Sequence, residues 1–151
     1  MPKSDLYEQD FHAWAYEQAA LLRNGHASAA DLENIAEEIE SMGRSEKREL
    51  ISRLGILLMH LLKWQYQPDR RGASWEGTII VQRLALQRHL RDNPSLKAKL
   101  DEALADAYAD AVPMTMAETN LPKTTFPSHC PWSFDQIMEE QLWPEMPGEN
   151  D

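Results

Sequence analysis

Apolar residues recur along most of this chain at the three- and four-residue spacing of helices, and no stretch alternates as a half-buried strand does. The first series, Phe11, Trp14, Ala15, Gln18, Leu21 and Leu22, predicts a helix over 6–23, stopped by Asn24-Gly25. A second helix is expected over 31–42, capped by Asp31 or Ser28. It carries a narrow apolar stripe of Leu32, Ile35, Ile39 and Met42, and Gly43 is expected to end it. The third, over 45–67, is the most apolar: Leu50, Leu54, Leu58 and Leu61 share one side, with Ile51 and Leu62 beside them. Pro68 closes it, because the residue before a proline leaves helical geometry.

Two more helices follow. Trp75, Ile79, Gln82, Leu86 and Leu90 predict one over 74–92 with Ser74 as its cap. Leu96, Leu100, Leu104, Ala107, Tyr108 and Ala111 predict another from Pro94 to about residue 112, where Pro113 is expected to kink or end it. Beyond 121 the chain changes character. Pro122, Pro127, Pro131, Pro144 and Pro147 forbid long regular structure, while Ser133-x-x-Gln136 reads as a capping box for one short helix near 133–141. Phe126, Trp132, Phe134, Ile137 and Trp143 are too apolar for a solvated tail and should pack back on the rest.

The expected fold is therefore all-α. It is an up-and-down antiparallel bundle of four to five helices with an irregular Pro-rich C-terminal arm. One domain is expected over 1–144, with 121–144 as the packed arm and 145–151 as a frayed tail. A single cysteine, Cys130, permits no intrachain disulfide, and the first residues lack the apolar segment of a signal peptide. The apolar run at 54–62 is too short to span a bilayer, so a cytoplasmic protein without membrane contact is expected.

Charge sharpens this picture. Residues 1–43 carry 2 basic and 9 acidic groups, 44–99 carry 12 basic and 5 acidic, and 100–151 carry 1 basic and 11 acidic. With a net charge of −10 the chain repels phosphate. The basic middle is thus expected to be neutralised by its acidic flanks and not by nucleic acid.

Order and identity of motifs add a resemblance. Asp10-Phe11-x-x-Trp14, Glu37 to Gly43, His60 to Pro68, Arg71, Ser74-Trp75, Pro94-Ser95-Leu96, Tyr108, Glu118-Thr119, Leu121-Pro122 and Phe126-Pro127 resemble the bacterial domain-of-unknown-function family number 29. The likeness covers roughly residues 5–145 and implies an all-helical fold. It implies no activity, substrate or cofactor. Pro113 departs from the unbroken fifth helix expected of that family.

Chemistry is concentrated on the third helix and the turn after it. Opposite the leucine face, Glu46, Glu49, Arg53, His60 and Gln67 form a polar stripe bordered by Ile56, Lys63 and Trp64. With Arg70, Arg71 and Trp75, the residues Arg53, His60, Lys63, Trp64 and Gln67 make up the candidate functional surface. Cations and aromatic faces in that arrangement suit a nucleotide, with Arg for phosphate and Trp for a base. Arg53 and His60, six residues between them, also resemble the Arg–His spacing of higher-eukaryote-and-prokaryote nucleotide-binding ribonucleases, but Arg83 and His89 fit the same loose pattern. The structural alternative carries more weight. The tryptophans flank a tight turn, where they should pack together or on neighbouring helices, and the arginines meet helix carbonyls or the acidic partners Glu37, Glu38 and Glu40.

No metal or cofactor is implied. Leu57 and Leu86 precede His60 and His89 by three, so the Glu-x-x-His of di-iron bundles is absent. His129-Cys130 is a poor start to a zinc site. The expected function is that of a non-enzymatic helical interaction or regulatory protein, binding another protein or itself as a homodimer. A nucleotide- or RNA-acting enzyme is the alternative.

Overall fold

A computed structural model describes residues 6–147; residues 148–151, most of the expected tail, lie outside the described residues. The fold is all-α, with no strand among the described residues. The helices are α1 (Leu6–Gln9), α2 (Phe11–Arg23), α3 (Leu32–Tyr66), α4 (Ala73–Asp92), α5 (Leu100–Thr119) and α6 (Phe134–Met138). The chain divides into two compact units, with the boundary in sequence between Ser45 and Glu46.

The second and third expected helices are one. α3 runs unbroken for 35 residues through Gly43. A glycine inside a helix costs only about 1 kcal/mol relative to alanine, and here it has neither a positive φ nor a proline beyond it to make a stop. Gly25, by contrast, has φ +75° just past α2 and does end a helix.

In the first unit, Asp10 caps α2 by accepting from the Ala13 amide at 3.0 Å. Only Trp14 and Gln18 of α2 are buried. Gln18 accepts from the Asp31 amide at 2.7 Å, and the Trp14 indole donates to the Asp31 carboxylate at 3.4 Å. The apolar stripe expected to face inward does not: Leu32, Ile39 and Met42 are exposed, as are Phe11 and Leu22. The polar contacts of Trp14 and Gln18 converge instead on Asp31, the residue before α3.

The second unit holds the leucine core. Leu50, Leu54, Leu57, Leu58, Leu61 and Leu62 are fully buried with Ile79, Leu86, Ala107 and Ala111. Side-chain hydrogen bonds and ion pairs fix helix direction. Lys47–Glu102 (2.8 Å) and Lys63–Glu118 share one sequence offset, 55, so α5 runs parallel to this part of α3. Arg53–Gln82 (3.4 Å) and His89–Glu46 (2.8 Å to the backbone carbonyl) run oppositely in sequence, so α4 is antiparallel to it. Lys47 holds the Glu102 carboxyl below the usual range, first by its hydrogen bond and then by its charge.

Three local expectations change. α4 starts at Ala73, with Gly72 as a cap that offers no side-chain bond, so Ser74 is inside the helix. Pro94–Lys99 forms a 3-10 run, and α5 begins only at Leu100. Pro113 does not end α5; it lies inside the helix, which continues to Thr119. The carbonyl that Pro113 leaves without an amide belongs to Ala109; both residues are exposed, on the side of the helix that solvent reaches.

The arm beyond α5 contributes to the core. Phe126 and Ile137 are buried in it, and Trp132, Phe134 and Trp143 pack against it. Tyr66 meets Phe126 edge-on at 5.2 Å, and the Tyr108 hydroxyl donates to the Pro127 carbonyl at 2.5 Å. Burial pushes the Tyr108 phenol up to about 12. The capping box is formed in full by Ser133 and Gln136.

Candidate functional site

Glu46, Glu49 and Arg53 of the polar stripe meet α4. Glu49 accepts from Arg53 Nε at 3.0 Å, and Arg53 also donates to Gln82 Oε1 at 3.4 Å. Glu46 and Glu49 meet His89, whose Nε2 and Nδ1 lie 3.7 and 3.6 Å from their carboxylates. Further along the helix, His60 is half-buried and donates from Nδ1 to the Ile56 carbonyl at 2.8 Å. Burial is the largest influence on its imidazole and holds its pKa below the ordinary value.

The turn after α3 is built around the arm. Arg71 donates from Nε to the Trp64 carbonyl at 2.6 Å and from a terminal nitrogen to the Pro144 carbonyl at 3.3 Å. Its guanidinium lies over the Trp64 ring, 5.4 Å from the centroid. Trp64 packs on Trp143 of the arm, centroids 4.8 Å apart, and Trp75 instead receives the Lys63 ammonium over its ring at 4.7 Å. Lys63, buried, pairs with Glu118. Gln67 is the backbone cap of the 3-10 turn Pro68–Arg70, and Arg70 is exposed. The acidic residues have other partners: Glu37 and Glu40 pair with Arg44 at 2.9 and 3.8 Å, and Glu38 accepts from the Tyr7 hydroxyl. That hydrogen bond is the main cause of a Tyr7 phenol pushed up to about 12.

Arg83 was not among the candidates, yet it is one of the most committed side chains. It is buried, and donates to the carbonyls of Ile137 and Leu142, each at 2.8 Å. Its guanidinium also lies 5.4 Å from the Trp143 centroid. The signal was present, since Arg83 falls in the apolar register of Ile79, Leu86 and Leu90. A cation in such a register is buried only if it is paired. His89 and Glu118 also come into the site only through tertiary packing. Cys130 donates its thiol to the Trp132 carbonyl at 3.3 Å, and burial pushes its pKa up, away from thiolate chemistry.

A groove of about 700 Å³ lies beside Ile51, Gly55, Ile56, Pro113 and Met114, with Arg48 and Asp110 at its polar edge. None of the stripe or turn candidates lines it.

These features define a small all-α protein whose polar side chains bind its own helices and arm. The match to a family model over residues 6–143 gives that class its name: the chain belongs to the family described as Domain of unknown function DUF29. No curated protein and no solved structure matches it. No helix among the described residues is long and apolar enough to cross a membrane.

Proposed function

We propose that this chain is a non-enzymatic interaction module of the bacterial cytoplasm that binds another protein through its N-terminal unit. The observation that carries this reading is the apolar face left open there: Ile39 and Met42 are 63% and 68% exposed, with Leu32 beside them on α3. Large apolar side chains grouped on one surface mark an interaction site. Glu33 and Glu40 border the stripe, and residues 1–43 carry a net charge of −7. A basic amphipathic helix complements that surface. A second copy would bring two acidic borders together, so a homodimer is the weaker form of the proposal. The nucleotide alternative loses ground because Arg53, Lys63 and Arg71 already have partners within the chain. A single free cysteine fits a reducing compartment.

The test uses two model peptides, an amphipathic Leu/Lys helix and its Leu/Glu counterpart, titrated against the protein and an Ile39→Asp/Met42→Asp variant. Salt-sensitive binding of the Leu/Lys peptide to the unaltered chain alone supports the reading. Equal binding to both proteins, or to neither, refutes it. Light scattering that shows a dimer lost in the variant would make the partner a second copy.

A further inference from the structure

We propose that Glu46, Glu49 and His89 bind one divalent first-row transition ion, such as zinc, which straps α3 to α4. One ligand atom from each of the three residues lies within 4.8 Å of the others. His89 supplies the argument beyond proximity. Its side chain is only 7% exposed, and Nε2 sits 2.8 Å from the Glu46 backbone carbonyl. A carbonyl accepts only, so Nε2 carries a proton, and in the neutral ring the lone pair is then on Nδ1. Metal-ligating histidines are held this way, one ring nitrogen donating to a backbone carbonyl while the other binds the ion.

Nδ1 then faces Glu49 Oε2 at 3.6 Å. That is too long for a hydrogen bond, and a lone pair opposite a carboxylate oxygen is repulsive. Two ligands each about 2.1 Å from a tetrahedral ion lie about 3.4 Å apart. A cation between the two atoms turns the repulsion into two bonds. Glu49 is prepared for this, because Arg53 Nε holds its Oε1 at 3.0 Å and leaves Oε2 to the ion. Glu46 Oε2 lies 3.7 Å from Nε2, so this half-exposed side chain must rotate toward Nδ1 to reach the ion, whose remaining positions water would fill. One imidazole with two carboxylates suits a borderline ion better than calcium or magnesium, which take oxygen ligands. The sequence hid the site because its acidic pair sits on one helix and its histidine on another, so no Glu-x-x-His motif exists.

The test takes the untagged full chain after chelator treatment. Zinc is titrated by calorimetry, and cobalt(II) is followed by its visible absorption. The expected result is one ion per chain, a thermal midpoint raised by about 5 °C or more at saturating zinc, and an intense low-symmetry cobalt band. Glu46→Gln, at an exposed position that leaves the fold intact, should weaken zinc binding by about 10-fold or more. Glu49→Gln should do the same, whereas His129→Ala should not. His89→Gln risks the fold, so Glu46→Gln decides. No stoichiometric uptake, or uptake unchanged in Glu46→Gln, overturns the proposal. So does NMR evidence that both ring nitrogens of His89 are protonated at neutral pH with no response to zinc.

Discussion

Replacing Arg83 by methionine tests whether one buried cation holds the C-terminal arm in place. Methionine retains the aliphatic stem and deletes the two bonds to the Ile137 and Leu142 carbonyls. Hydrogen bonds to a charged group contribute about 1.5–3 kcal/mol each, and the cation over Trp143 adds about 0.5–1 kcal/mol. Against this stands the cost of burying a guanidinium, which the substitution removes; burial already lowers the Arg83 pKa. We expect a net loss of about 2–4 kcal/mol. For a chain of this size that corresponds to a fall in Tm of about 4–16 °C. Thermal unfolding by circular dichroism measures the total, and hydrogen exchange locates it. Residues 121–147 should lose protection before α3, α4 and α5 do, because the arm opens as its own unit. Lys at position 83 keeps the charge but reaches one carbonyl at a time, so its loss should be intermediate. A Tm within about 1 °C of the parent, with the arm still protected, would refute the reasoning.

Three further outcomes follow from the same structure. Burial depresses the His60 pKa below its ordinary 6.5, so the unfolded chain binds the proton more tightly. Stability should therefore fall as pH drops from about 6.5 toward the folded-state value. NMR titration should place the His60 midpoint below 6.5, and His60→Gln should flatten that part of the pH profile; a midpoint at or above 6.5 contradicts this. Glu118→Ala, which leaves the buried Lys63 ammonium without its half-exposed carboxylate, should cost about 1.5–3 kcal/mol in urea unfolding. Lys63→Met, which removes the charge and keeps the volume, should cost less; the reverse order would disprove the account of that pair. Gly43→Ala should stabilise the protein by about 0.5–1 kcal/mol, since a Cβ there meets nothing within 4 Å. Destabilisation would mean that α3 is not continuous at that point.

The helical fold was legible because each element carries its own signature. Trp75 to Leu90 repeats at helical spacing, and Ser133 with Gln136 announces α6. What misled was punctuation. Gly43 resembles a stop, but a stop needs a left-handed residue or a loss of amides, and the chain offers neither. Pro113 resembles a break, but it falls on the solvent side, where its cost is smallest. The polar stripe of Glu46, Glu49 and Arg53 was also legible, because a helical face is a local property. Its partners were not. His89 reaches the stripe from 43 residues away, and the Pro144 carbonyl reaches Arg71 from 73 away. Nothing in spacing along a chain encodes which distant carbonyl a guanidinium will find. The role of Asp31 was hidden in the same way: it draws Trp14 and Gln18 to the residue before α3, while Leu32, Ile39 and Met42 stay exposed.

The placement of Arg83 has a consequence for synthesis on the ribosome. α4 emerges well before the carbonyls that satisfy its central cation, which belong to Ile137 and Leu142. Until those residues have left the exit tunnel, closing the leucine core over Arg83 means burying an unpaired charge, and Phe126 and Ile137 are not yet there to fill their places in it. The second unit is thus committed to folding late, as a whole, after nearly all of its length has been made. A nascent chain with only α5 and what precedes it outside the tunnel should stay open to protease, and one held on a C-terminal linker long enough to bring Trp143 out of the tunnel should not.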